Sequence, residues 1–334
     1  MRAFATGGTG FIGGSLIRKL RARGDGVVAL VRTPSKATAL GDLGCELVDG
    51  DLGDPQALAS AMAGCDAFFH VAGMYKVGIR ASERPAMFEA NVRGTENVMD
   101  AATAAGIRRI VYISTIGYFG NTHGQVLDET HARTPGAWLT AYDETKYLAH
   151  EVVVDRIRKG SPALIAMPGG VYGPGDQSDL ANVIDRVRRG RLPALVFPDS
   201  AFNFVHVDDA VDGILLVHDR GRTGETYVLG GERVDVRTFI QTVARVSGRR
   251  GPRVTIPASM VRLAIPFGPL VGKLVGAGPN IRELIRAADG VTYWASDEKA
   301  RRELGYAPRD LETGLRQTVA ALAAGGGETG PAAG

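Results

Sequence analysis

A strand-like run at residues 2–6 breaks into Gly7-Gly8-Thr9-Gly10-Phe11-Ile12-Gly13, and a helix-like stretch over 10–23 follows at once. The glycines at 7, 10 and 13 leave few folds open. One lets the chain turn sharply, one lets backbone approach a pyrophosphate, and one allows helix and strand to pack closely. The helix N-terminus offers unpaired N–H groups and the positive end of its dipole to an anion. Glycines alone mark any tight turn. Between a first strand and a first helix they have the context that dinucleotide binding demands. Gly7, Thr9, Gly10, Phe11 and Ile12 are therefore the first candidates for cofactor contact.

The rest of the first half repeats the pattern. Strands are predicted at 2–6, 27–31, 46–49, 67–71, 109–114 and 163–167, and helices at 10–23, 55–63, 86–105 and 141–159. Strands alternating with helices predict a parallel sheet covered on both faces. The handedness of crossovers then leaves an α/β, doubly wound Rossmann arrangement. Residues 1–168 are expected to form this dinucleotide-binding domain. Beyond Pro168 prolines and glycines interrupt the alternation, so 169–324 is expected to be mainly a smaller C-terminal substrate-binding lobe, with 225–229 returning to the main sheet. The Gly-rich residues 325–334 are expected to be a disordered tail.

Composition narrows the class. With 45% hydrophobic and 22% charged residues the chain can build a core, and a net charge of +3 without basic–aromatic clusters gives no reason to expect nucleic acid. The most apolar late segment, 254–275, is broken by Pro257, Pro266, Gly268 and Pro269 and carries Arg262 and Lys273, so neither a spanning helix nor a membrane partner is expected. Residues 1–6 lack a signal-peptide core, which makes cytoplasmic the expected location. Cys45 and Cys65 cannot form a disulfide framework, and the six histidines show no ligand spacing, so no metal is expected.

The end of the second strand bears on the cofactor. NAD-binding folds place an acid there to accept from the ribose 2′-hydroxyl. Here the chain reads Val31-Arg32-Thr33-Pro34-Ser35-Lys36. Arg32 and Lys36 offer cations where a 2′-phosphate would sit, so NADP(H) is favoured over the alternative, NAD.

Tyr142-Asp143-Glu144-Thr145-Lys146 opens the helix predicted from 141. Residues four apart share a helix face, so Tyr142 and Lys146 point the same way. A nearby ammonium stabilises phenolate and brings a tyrosine toward the working range of an acid/base. The strand before this helix ends in Ser114-Thr115, at the carboxyl edge where ligands of this fold bind.

With these pieces in order, the chain resembles the extended short-chain dehydrogenase/reductases, also called the NAD-dependent epimerase/dehydratase family. The matching stretches are 6–13, Asp51-Leu52, His70-Val71-Ala72-Gly73, Asn91, Ser114-Thr115, 142–146, 168–176, Phe204-Val205-His206-Val207-Asp208-Asp209-Ala210 and 296–308. The resemblance implies that Tyr142 is the general acid/base, that Lys146 tunes it and holds the nicotinamide ribose, and that Thr115 orients the substrate oxygen. It implies that Asp51 and Leu52 border the adenine, Val71, Ala72 and Gly73 the ribose and phosphates, and Pro168 and Val171 the nicotinamide. It also implies a homodimer pairing helices 86–105 and 141–159, and a structural role for Asn91.

Sugar-nucleotide members carry an arginine two residues before the aromatic of the Phe204-Val205-His206 segment; this chain has Phe202. A diphosphate substrate would lose a charge-assisted contact worth roughly 1.5–3 kcal/mol. The missing acid after strand two looks more like dihydroflavonol-reductase-like members. The expected activity is NADPH-dependent reduction of a small-molecule ketone or aldehyde. The alternatives are an NAD-dependent nucleotide-sugar epimerase or dehydratase, and a non-catalytic NADP sensor. Met74, Tyr75, Phe119, Trp138, Tyr172 and residues 254–275 are candidates for an apolar substrate pocket.

Overall fold

The computed structural model describes residues 1–263 and 280–325. The first six strands are β1 (Arg2–Thr6), β2 (Gly26–Val31), β3 (Glu46–Asp49), β4 (Ala67–His70), β5 (Ile110–Ile113) and β6 (Ala163–Pro168). Three short strands follow: β7 (Gly170–Tyr172), β8 (Ala194–Val196) and β9 (Ala201–His206). β10 (Thr226–Leu229) then joins β6, completing a parallel seven-stranded sheet of order β10-β6-β5-β4-β1-β2-β3. β2 lies on one side of β1 and β4 on the other, so the strand order reverses at β1. A crevice at the carboxyl ends beside such a reversal is where this architecture binds ligands. Thr6 pairs with both Leu30 and His70, so the glycine turn leaves the sheet at that edge.

Both faces of the sheet are apolar because both are covered. Ala3, Ala5, Phe69 and Val111 face Leu16, Ile17 and Leu20 of the helix Phe11–Ala22 and Val211 and Ile214 of the helix Val207–Arg220. Phe4, Phe68 and Tyr112 face Met62, Val98, Met99 and Val153 on the other side. Each fully buried Val, Leu, Ile, Phe or Met among them contributes roughly 1.5–3 kcal/mol over its exposed state.

The remaining strands, β11 (Glu232–Asp235), β12 (Val254–Ile256) and β13 (Thr292–Tyr293), belong to the smaller lobe. β9 pairs with β11 along one edge and with β7 and β13 along the other, while β12 pairs with β8. The lobe has its own core of Tyr172, Phe204, Phe239, Leu311 and Leu315.

One expectation needs correction. The single helix expected over 86–105 is a helix at Arg84–Phe88, a π-helical turn at Glu89–Arg93 and a second helix at Gly94–Ala104. The wide turn carries Asn91, whose side chain is held by groups outside the helix. Residues 264–275 of the apolar segment and 326–334 of the tail lie outside the described residues.

Candidate active site

The glycine turn admits no side chain where the resemblance needs none. Gly7 has φ +73°, and a Cβ there would stand 2.6 Å from the Ala72 nitrogen. A Cβ on Gly13 would collide with the Gly7 carbonyl oxygen. The helix Phe11–Ala22 is capped by Gly10, which provides no side-chain acceptor, and its first turn carries no acid. Its leading N–H groups are thus left to an anion. These residues fit the pyrophosphate of a dinucleotide.

After β2, Arg32 and Lys36 are both exposed, and neither has an ion-pair partner among the described residues. Asp51 is exposed, with Oδ1 accepting from the Gly53 N–H at 2.6 Å; Leu52 packs beside Gly94. Val71, Ala72 and Gly73 follow β4 directly, next to the glycine turn. Pro168 ends β6 and Val171 lies in β7.

A buried polar thread joins these strand ends. Thr95 Oγ1 donates to the Asn91 carbonyl at 2.6 Å, so at 3.1 Å it accepts from His70 Nε2. His70 Nδ1 then accepts from the Thr6 hydroxyl at 2.8 Å, and Thr6 Oγ1 accepts from the Ala72 N–H at 3.3 Å. Burial, reinforced by the Lys146 charge, lowers the His70 pKa to about 3, which fits a neutral ring with one donor and one acceptor. Asn91 extends the thread, accepting from the Met74 N–H and donating to the Met74 carbonyl and to Thr145 Oγ1.

The helix Ala141–Arg158 begins with Thr140 as its cap, accepting from the Asp143 N–H at 2.8 Å. Tyr142 is half-buried in its first turn, packed with Met74, Ile79, Met87 and Ala141 and edge-on to Tyr75 at 4.7 Å. Burial pushes its phenol above the usual range, and neighbouring Tyr75, Tyr112 and Asp143 push the same way. Lys146 is buried one turn further on. Its Nζ donates to the Ile113 carbonyl at 3.0 Å and to the Tyr112 hydroxyl at 3.2 Å. Burial lowers its pKa to about 8.

The two hydroxyls ending β5 differ. Ser114 is buried and shares a hydrogen bond with His150 Nδ1 at 2.9 Å. Thr115 is partly exposed, and its Oγ1 accepts from the Gly117 N–H at 3.1 Å, leaving its own proton to give.

Of the pocket candidates, Met74 and Tyr75 come to Tyr142. Tyr172 does not: it is 1% exposed in the core of the lobe, its hydroxyl donating to the Leu311 carbonyl. Phe119 is likewise buried, against Tyr118 and His131, while Trp138 stacks on Arg133 and Tyr147. Sequence reasoning missed two neighbours. Arg133 grips Asp143 through two hydrogen bonds of 2.5 and 2.8 Å in a buried pair. Glu283, 4% exposed, accepts from the Ala141 N–H at 2.5 Å, one residue before Tyr142. Neither had a spacing signal: Arg133 reaches Asp143 from a loop ten residues upstream, and Glu283 reaches Ala141 across 142 residues.

Known proteins resemble this chain in sequence and in fold. The pattern of the family described as "NAD dependent epimerase/dehydratase family" matches residues 3–230. The chain is 32% identical to a Synechocystis sp. protein named for dihydroflavonol 4-reductase, over 95% of this chain and 93% of that one. It is also 32% identical to the 4-hydroxy-2-methyl-3-oxo-4-farnesyl-3,4-dihydroquinoline-1-oxide ketoreductase of Stigmatella aurantiaca, over 92% of each. Among solved structures, a double mutant of the dTDP-glucose 4,6-dehydratase DesIV of Streptomyces venezuelae, with NAD bound, matches with a TM-score of 0.78 and 25% identity over 98% of both chains.

Proposed function

The chain belongs to the NAD dependent epimerase/dehydratase family, and on that premise we propose that it is an NADPH-dependent reductase of a ketone or aldehyde. The observation that carries the reading is Arg32, an exposed cation without an ion pair among the described residues, at the strand end where an NAD-binding fold has an acid. The relatives named for reductases support the same class.

In this reading Gly7, Thr9, Gly10, Phe11 and Ile12 hold the pyrophosphate, and Arg32 with Lys36 the 2′-phosphate. Asp51 and Leu52 border the adenine, Val71, Ala72 and Gly73 the ribose, and Pro168 and Val171 the nicotinamide. NADPH, when bound, supplies hydride to the carbonyl carbon. Thr115 donates a hydrogen bond to the carbonyl oxygen and fixes its position, and Tyr142 gives that oxygen its proton. Lys146 holds its charge at the foot of the same helix face and stabilises the phenolate left behind. Tyr75 and Met74 shield the phenol from water, which strengthens each of these contacts.

A second reading, an NAD-retaining epimerase or dehydratase of nucleotide sugars, draws on the likeness to DesIV. Phe202 weighs against it, stacked on Tyr293 at 5.0 Å where sugar-nucleotide members would have an arginine.

Mass spectrometry of nucleotide released from freshly purified, denatured protein separates the two. NADP(H), or a site that takes up NADPH in preference to NADH, supports the reductase and directs a screen of apolar ketones and aldehydes. Near-stoichiometric NAD overturns it. We also propose a homodimer through residues 86–105 and 141–159, to be checked by light scattering.

A further inference from the structure

Charge is unevenly spread along this chain. Residues 236–288 hold nine arginines and lysines and one acid, a net of +8, which leaves −5 for the remainder of a chain that totals +3. The one acid, Glu283, is buried against Ala141 and does not oppose the surface. Arg237, Arg245 and Arg262 pair with acids from outside the stretch. Arg249, Arg250 and Arg253 are exposed and have no ion pair among the described residues.

Arg237, Arg250 and Arg253 converge with Gln241 around an open depression of about 490 Å³, which Gly251 and Pro252 complete. That is a cluster of donors with room for a phosphate group. Exposed apolar side chains follow it in the chain and on the paired strand. Seven large hydrophobic residues are strongly exposed among the described residues, and four of them fall here: Val196 on β8, Val254 on β12, and Met260 and Leu263 on the helix Ala258–Leu263. Met260 and Leu263 are 61% and 77% exposed, and their three-residue spacing puts them on one helix face. β8 and β12 are hydrogen-bonded partners, with Val254 and Val196 on one side of the ribbon, and the helix Ala258–Leu263 leaves the end of β12 after Pro257. An apolar group of this kind rimmed by cations marks an interaction site rather than scattered exposure.

We propose that this face, made of β8, β12, the arginine turn 249–253 and the helix Ala258–Leu263, docks on an anionic phospholipid bilayer. The arginines meet headgroup phosphates while Val254, Met260 and Leu263 enter the boundary between headgroups and acyl chains. A nucleic acid would satisfy the arginines and leave four apolar side chains against a phosphate backbone; a bilayer satisfies both. Docking needs no spanning segment, and no helix among the described residues is long and apolar enough to cross a membrane. This departs from the sequence expectation of no membrane partner, which rested on the broken apolar segment 254–275 and so weighed spanning rather than surface docking.

The test is co-sedimentation of the full chain with vesicles of equal parts phosphatidylglycerol and phosphatidylcholine, against phosphatidylcholine alone. The chain should partition onto the anionic vesicles and release as salt is raised to about 1 M. Each basic residue near such a surface is worth about fivefold in partition. The R249E/R250E/R253E variant should therefore bind at least about a hundredfold more weakly. Met260→Ser with Leu263→Ser should weaken binding about tenfold or more while keeping the salt dependence. Melting temperatures close to the parent's establish that the variants are folded. If the charge-reversed variant does not fold, salt release of the parent decides the matter: binding that ignores salt overturns the proposal. Equal binding to both vesicle types also overturns it, as does parental binding by either folded variant. Displacement from the vesicles by short duplex DNA, undiminished in the Met260→Ser/Leu263→Ser variant, would assign the face to nucleic acid instead.

Discussion

Asn91 holds Met74 from both sides of its peptide, accepting the Met74 N–H at 2.6 Å and donating to the Met74 carbonyl at 3.1 Å. Its remaining N–H goes to Thr145 Oγ1 at 3.0 Å, and Thr145 donates in turn to the Tyr142 carbonyl at 3.2 Å. One buried amide thus joins the segment carrying Met74 and Tyr75 to the first turn of the helix carrying Tyr142. Replacement by alanine strands several buried polar groups at once. Asn91→Ala should cost about 2–4 kcal/mol in urea denaturation. It should also lower kcat roughly tenfold with little change in cofactor affinity, because it loosens Tyr142 rather than the glycine turn.

Tyr142→Phe removes a hydroxyl that has no hydrogen-bond partner among the described residues. Stability should stay within about 0.5 kcal/mol of the parent. Turnover should fall by about 10²–10⁴ while NADPH still binds, as read by fluorescence titration beside steady-state rates. Parental turnover in this variant would remove Tyr142 from its assigned role.

Arg32→Glu reverses the cation at the end of β2. Loss of a charge-assisted contact of roughly 1.5–3 kcal/mol should raise the NADPH Kd by about ten- to a hundredfold. NADH has no 2′-phosphate to repel, so its Kd should hold or improve. Competition titrations with the two nucleotides would expose an equal effect on both, which the assignment does not allow.

Two histidines govern acid stability. His70 and His150 are buried and neutral, each with its pKa lowered to about 3 by burial and by the Lys146 charge. The unfolded chain protonates them near 6.5, so between those values it binds more protons than the folded one. Their contribution is whole above about 6.5 and drains away as pH falls toward 3. Going from pH 6.5 to 5 should cost about 2 kcal/mol for each histidine. Denaturation midpoints across this range should flatten in His150→Gln, and the parental slope in that variant would show that other groups set the acid limit.

Lys146 sets a limit on the alkaline side. Its pKa of about 8 means that the ammonium is lost as pH rises through that value. Carbonyl reduction should decline above about pH 8, since a neutral amine no longer stabilises phenolate on Tyr142. A rate profile flat to pH 10 would show that Lys146 keeps its proton or does not act on Tyr142.

The sheet was legible because its strands, β3 apart, are short runs dominated by apolar residues. β1 and β3 fall on the expected residues, β2, β4 and β6 differ by one residue at one end, and β5 is shorter by one residue at each end. The glycine turn before the first helix, and the placement of Tyr142 and Lys146 on one helix, were legible because glycine spacing and a four-residue separation are local features of the sequence. The π-helical turn at Asn91 was not, since its cause is a hydrogen-bonding partner, Met74, that lies in another element. Tyr172 misled for a related reason. An aromatic beside Val171 suggests a pocket, but alternation along β7 turns it inward onto Phe239. Glu283 acts through a contact over 142 residues, and Arg133 through a loop that folds back onto Asp143, and neither follows helix or strand periodicity.

The position of β10 has a consequence for synthesis. β6 lies inside the sheet only because β10 covers its outer side, with Thr226 beside Ile165 and Leu229 beside Pro168. A nascent chain that has just emerged past Pro168 therefore presents Ala163–Pro168, an apolar strand in every position, as a bare edge. It keeps that edge exposed while β7, β8 and β9 are being translated. Residues 1–168 should therefore be unable to complete their sheet on the ribosome until β10 has emerged. A fragment ending at residue 168 should aggregate by strand pairing, and grafting a lobe from a relative would have to carry β10 with it.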